Sequence, residues 1–278
     1  MAELEKAVRT RSGRARRRRR ERVVLTPLLA IATVFMSVLI APTVGATPVA
    51  RNTVCDGVLP SGTYNGLTVE GHCSVAEGST VTIRGRLVVT AGSNFDAETY
   101  ANTTIIGSVY VAPGANFGLG QDEQGPSQAV LRGSLFANQP FALQILGATV
   151  TGSILVVGGQ AATCTPDPTT ARGGAPSNMP IKDNTIKGSV TILGWSGCWF
   201  GFIRNQVHGH VLIAGVNGNG YQEELGFNDS SEIVTNQIWG TLTCFGNTPA
   251  PWIGDSEGSP NIIHGMVFDE CRPVSSRS

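Results

Sequence analysis

His208 and His210 stand two residues apart in NQVHGHVLIAG, residues 205–215. On a strand, alternate residues project to the same side. Neutral imidazole is a good metal ligand, so the pair is a candidate half-site. Nothing nearby completes it: there is no neighbouring cysteine and no carboxylate at a fixed spacing. Carboxylates are the next candidates. Asp122 and Glu123, then Glu223, Glu224, Asp229 and Glu232, then Asp255 and Glu257, all fall in stretches rich in Gly, Pro and polar residues. Glycosidic cleavage needs two acids facing one bond, about 5 to 10 Å apart. The apolar segments between these stretches are almost free of acids, so the carboxylates read as solvated and no catalytic set emerges. No cofactor is implied beyond a calcium ion, for which Glu223, Glu224 and Asp229 are the suitable grouping. With Trp195, Trp199 and Tyr221 the same three acids form a candidate ligand face, since aromatic rings make platforms for sugars. Six cysteines remain: Cys55, Cys73, Cys164, Cys198, Cys244 and Cys271. They contain no CxxC, which removes the usual zinc and thioredoxin spacings, and as disulfides they allow 15 pairings.

The histidine segment has relatives. TVTIRGRLVV, NTTIIGSVYV, AVLRGSLFA, GATVTGSILVV, NTIKGSVTIL, NQIWGTLTCF and NIIHGMVF share alternating apolar residues around one glycine. That glycine falls at 85, 107, 133, 152, 188, 209, 240 and 265, with Asn65 in its place in an earlier unit. A period of about 20 residues that tolerates insertions signals a solenoid. Each unit holds a short strand, so strands must stack between coils. The predicted fold is all-β, a single-stranded right-handed parallel β-helix of about 8–9 coils with loop insertions. Parity sends Ile83, Leu87, Val89, Val150, Ile154, Val156, Ile186, Val190, Ile192, Val207, Val211 and Ile213 inward, and the histidines outward. The marker glycine sits where no side chain fits a crowded corner. Asn184, Asn205, Asn236 and Asn261 each precede it by four residues. They predict an asparagine ladder at a bend where Asn tolerates the left-handed conformation.

Long spacings place insertions in GGQAATCTPDPTTARGGAPSNMP, in VNGNGYQEELGFNDSS and, more briefly, in FGLGQDEQGPSQ (117–128). One outward column is unexpectedly apolar: Val88, Tyr110, Phe136, Leu155, Thr191, Leu212, Thr243 and Phe268. Either a loop covers it or it meets a partner. GWSGCWFGF, with Trp195, Trp199, Phe200 and Phe202, is the candidate cover.

The first 46 residues stand apart from this pattern. Nine arginines and Lys6 precede or border an apolar run from Val23 to Ala41, and Val44-Gly45-Ala46 suits a signal peptidase. Residues 1–46 are therefore expected to be a secretory signal peptide, or a membrane anchor if uncleaved, and 47–278 the β-helix domain. The whole chain has 20 basic and 20 acidic residues. Without its first 46 residues ten basic and seventeen acidic remain, a net charge near −7. A phosphate backbone would be repelled, so nucleic acid is not an expected partner. The six cysteines suit an exported, oxidising setting.

LPSGTYNGLTV after Cys55, and GTLTCFGNTPAP…NIIHGMVFDEC at the C-terminus, resemble a family of secreted, largely uncharacterised actinobacterial β-helix proteins. Such proteins open on a Cys and an LPxGTYxxxTV segment and close on NTPAP…C. The resemblance covers most of residues 53–271. It implies terminal disulfides Cys55–Cys73 and Cys244–Cys271, which leaves Cys164 for Cys198, and it implies no reaction. Each terminal bridge would be worth about 3 kcal/mol. The long loops and the extra cysteines depart from the family pattern. The expected role is therefore a secreted or cell-surface β-helix with a structural, adhesion or ligand-binding function. Its partner would be a cell-wall or extracellular polysaccharide or a surface protein, and it would touch the membrane only through the N-terminal segment. The alternative is a polysaccharide-active enzyme, a lyase or glycoside hydrolase, on the same scaffold.

Overall fold

A computed structural model describes residues 52–121, 127–159, 177–218, 230–253 and 259–272, all within the compact unit Ala46–Ser278. Every pairing between named strands is parallel, and the fold is a right-handed parallel β-helix. Three faces recur in each coil. Face 1 is a nine-stranded sheet that begins with Gly62–Tyr64 and ends with Ile262–Ile263. Face 2 stacks strands such as Leu87–Val89, Ile154–Val157, Val190–Leu193 and Val211–Ala214. Face 3 stacks Asn94–Ala97, Asn116–Gly120, Ala142–Leu146, Asn178–Lys182, Trp199–Ile203 and Ser231–Val234. The long strands Thr53–Leu59 and Leu67–Val75 run through faces 2 and 3 and join them into one sixteen-stranded sheet. They turn the corner at Gly57 (φ 114°) and Gly71 (φ 80°), which only glycine adopts readily.

The predicted inward residues all lie in the core. Face 3 adds a third inward set that the repeat did not reveal. Phe95 and Phe117 stack at 5.6 Å, followed in register by Leu143, Met179 and Phe200. This corrects the reading of 117–128 as loop, because Asn116–Gly120 is a strand that buries Phe117 and Leu119. The longest spacings are insertions at the turn from face 2 to face 3. Ile154–Val157 pairs onward with Val190–Leu193, and Asn178–Lys182 pairs with Trp199–Ile203, so the coils close in register on either side.

Two corners are built from repeated residues. At the first, the marker glycines stack directly. A Cβ on Gly107, Gly133, Gly152, Gly188, Gly209, Gly240 or Gly265 would lie 2.1–2.5 Å from the carbonyl oxygen of the preceding glycine in the column. The glycine is therefore required by coil-to-coil approach along the axis and not by a positive φ. Gly209→Ala should cost about 2 kcal/mol, because the obstructing atom is backbone and cannot rotate away. Thermal denaturation should show a fall in Tm of roughly 5 °C.

At the second corner the asparagine ladder is present. Asn184 Nδ2 donates to Asn205 Oδ1 (2.9 Å), Asn205 Nδ2 to Asn236 Oδ1 (3.0 Å), and Asn236 Nδ2 to Asn261 Oδ1 (2.9 Å). The expected reason for asparagine is corrected. The left-handed residues are the ones before it, Asp183 (φ 60°), Arg204 (φ 54°) and Thr235 (φ 58°). Asparagine is selected for its amide, which accepts from the backbone N–H of the previous coil and donates to a carbonyl inside the corner.

Both expected terminal disulfides, Cys55–Cys73 and Cys244–Cys271, are formed. Cys198 is also disulfide-bonded, while Cys164, its expected partner, lies outside the described residues. Tyr64 helps close the N-terminal end, and its hydroxyl donates to the Pro60 carbonyl at 2.8 Å. Burial raises the pKa of this phenol.

Candidate functional site

The histidine pair is a structural rung. At the glycine corner a column of serines follows the glycines. The N–H groups of Ser153, Ser189 and His210 donate to Ser134, Ser153 and Ser189 Oγ, each at 3.1 Å. His210 takes the serine's place in the next step, where its Nδ1 accepts the Thr241 N–H at 3.0 Å. His208 Nε2 accepts from the Lys187 ammonium at 3.2 Å. A neutral imidazole has one lone pair, so in both residues the atom that would bind a metal is engaged. Among the described residues no group of three or more His, Cys, Asp or Glu is placed to hold a metal ion.

His208 is also not simply solvated. Its ring stacks on Trp239 at 4.6 Å (interplanar 13°), and Trp239 stacks on His264 at 5.5 Å (15°). These residues share the outward position before the marker glycine, and each N–H continues the face 1 ladder. The facing rings cover one another and leave their edges to solvent, with Trp239 38% exposed.

The candidate ligand face is only partly within view, and one member is corrected. Trp195 is fully buried. It follows the left-handed Gly194 and packs against Phe200 at 6.3 Å. Gly159 and Gly197 seat the indole, since a Cβ on either would come within 2.6 Å of it. Trp199 is half-buried. Its ring lies over Gly201, with the Lys182 ammonium 5.5 Å from the ring centre. Tyr221, Glu223, Glu224 and Asp229 lie outside the described residues, as do Asp122, Glu123, Asp255 and Glu257. Glu232, read from the sequence as a solvated acid, is corrected: it is buried in the strand Ser231–Val234, in register with Gly201 on face 3.

Several described carboxylates have structural partners. Asp183 holds Arg204 through two hydrogen bonds of 2.6 and 2.9 Å. Asp56 accepts from the His72 N–H, and Asp96 from the Glu98 N–H. Glu270 Oε2 caps Asn247, which begins a shorter amide step at the turn leaving face 2.

Because Trp195, Phe200 and Phe202 turn into the core, GWSGCWFGF does not cover the apolar column, which corrects that expectation. The column follows the face 2 register from Val54 to Phe268, with Val88, Tyr110, Phe136 and Leu155 on four successive coils and Leu212 beyond, and with Thr68, Thr191 and Thr243 interrupting it. Val54 is 59% exposed, Phe136 40% and Leu155 37%. A parallel column adds Val157, Leu193 and Phe245. Tyr110 is tilted against Phe136 at 5.7 Å, and the Arg86 guanidinium lies 5.3 Å from its centre. The chain matches no known family model, no curated protein and no solved structure.

Proposed function

We propose that this protein is an exported β-helix of the cell surface or envelope that binds a partner, in an adhesive or structural role, without turnover. The observation that supports this most directly is the outward apolar run Val88, Tyr110, Phe136 and Leu155 on four successive coils of face 2, where Phe136 and Leu155 are exposed and Val88 and Tyr110 half-buried. Monomeric soluble proteins seldom leave a contiguous apolar stripe of this kind in water unless it meets something. The scaffold suits the task, since successive coils repeat the same outward positions along face 2. A surface protein or an extracellular polysaccharide is the partner class. The resemblance of the two chain ends to secreted actinobacterial β-helix proteins points the same way. A panel of glycans and polysaccharides, scored for both binding and released product, tests the reading. Capture without shortened product is the expected result. Product formation over many turnovers would overturn it and leave the polysaccharide-active enzyme.

A further inference from the structure

We propose that the glycine corner between faces 1 and 2 is a binding track for an extended anionic polysaccharide bearing one carboxylate at every second sugar. The inference rests on the binding reading above but uses a different surface.

The outward position before the marker glycine runs Arg84, Ile106, Arg132, Thr151, Lys187, His208, Trp239, His264. All eight are exposed. Arg84, Arg132 and Lys187 occupy alternate coils, so their charges repeat about every 10 Å, twice the strand spacing. Among the described residues Arg84, Arg132 and Lys187 form no salt bridge, and Lys187 donates to His208. Arg86 joins them from the first outward position of face 2.

Hydroxyl and amide columns flank these cations. Thr63, Thr82, Thr104, Thr149, Thr185, Gln206 and Gln237 stand in register on one side, interrupted by Val130 between Thr104 and Thr149 and ended by Ile262. Ser108, Ser134, Ser153 and Ser189 stand on the other. None of these positions is Asp or Glu, although residues 47–278 carry a net charge near −7. Screening over about 8 Å at physiological salt lets a local cationic ridge act despite distant acids.

The chemistry of the ligand follows from the spacing. Each sugar of an extended chain advances by roughly one coil. An alternating uronate–neutral chain would therefore present a carboxylate to Arg84, Arg132 and Lys187, and a neutral sugar to Ile106 and Thr151. Hydroxyl columns suit the hydroxyls of such a chain. Single-stranded nucleic acid suits the ridge less well. Its recognition uses free aromatic faces on which bases stack, and here the rings of His208, Trp239 and His264 cover one another.

The test measures binding of the purified protein to hyaluronan, an alternating uronate polymer, to neutral dextran, and to a thymidine oligonucleotide. Hyaluronan should bind at least tenfold more tightly than either, and should weaken about tenfold between 50 and 200 mM salt. The triple variant Arg84→Gln, Arg132→Gln, Lys187→Gln should lose hyaluronan at least tenfold while its melting temperature and circular dichroism stay unchanged. Equal binding by the triple variant would overturn the track yet leave the binding reading intact. So would a preference for dextran or for the oligonucleotide, or no binding to any of the three. Release of shortened hyaluronan would instead remove the non-catalytic reading on which the track rests.

Discussion

Val190→Asp should abolish folding, whereas Thr191→Asp, the adjacent residue, should be nearly silent. Val190 is fully buried, between Ile154 and Val211 in the inward column of face 2. An unpaired carboxylate there costs several kcal/mol. Loss of the valine's burial adds about 1.5 kcal/mol or more. Together these rival a total stability of about 5 to 15 kcal/mol. A solenoid gives little escape, because each coil is stabilised by its immediate neighbours and a failed coil separates the two halves. Thr191 points outward and is half-exposed, so a charge there should move stability by about 0.5 kcal/mol or less. Size-exclusion chromatography and circular dichroism of the two variants check this. A folded Val190→Asp protein, or an unfolded Thr191→Asp protein, would show that the inward and outward columns are misassigned.

The second large effect is expected at the centre of the asparagine ladder. Asn205→Leu should destabilise the protein by about 4 kcal/mol, and Asn261→Leu by clearly less. Asn205 accepts from both the N–H and the Nδ2 of Asn184, and its own Nδ2 donates to the Ile181 carbonyl and to Asn236. Leucine matches its size but makes none of these bonds. The buried Asn184 N–H and the Ile181 carbonyl lose their Asn205 side-chain partner, and each buried polar group left unpaired costs about 1 to 3 kcal/mol. Asn261 is the last step of the ladder among the described residues and is only half-buried, so water can replace part of what is lost. Denaturant midpoints of the two variants, with unchanged slopes, measure the difference. Equal losses would mean that the amides act independently and that burial along the column does not matter.

The arrangement at the two corners explains why much of this fold is legible in the chain. In a parallel solenoid the contact made by one residue is repeated by its equivalent one coil later, so whatever a corner requires appears as a column in the sequence. The glycines at 85, 107, 133, 152, 188, 209, 240 and 265 are visible because each lies against the carbonyl of the previous position, which no side chain tolerates. Asn184, Asn205, Asn236 and Asn261 are visible because an amide ladder needs the same group at every step. Alternation of apolar residues around the glycine is enough to assign the inward residues of faces 1 and 2, since parity on a strand is local.

What the chain by itself determined is therefore the repeat, the coil number, the inward columns beside the glycine and the identity of the ladder. Tertiary structure alone decided matters that depend on which residues meet across coils of unequal length. Spacings between successive glycines run from 19 to 36, so face 3 keeps its offset only at first: Phe95, Phe117 and Leu143 each follow their glycine by 10 residues, but Met179 follows Gly152 by 27 and Phe200 follows Gly188 by 12. Trp195 resembles an exposed platform in sequence, but it lies in the core because Gly159 and Gly197 leave room for an indole beside Phe200. The same dependence on register turned His208 and His210 from a candidate metal pair into a stacked ring and a backbone acceptor. It also aligned Arg84, Arg132 and Lys187, which lie 48 and 55 residues apart in the chain, on alternate coils of one exposed corner. Local alternation sets the side of a strand on which a residue points, but only the winding of the coils sets which residue it finds there.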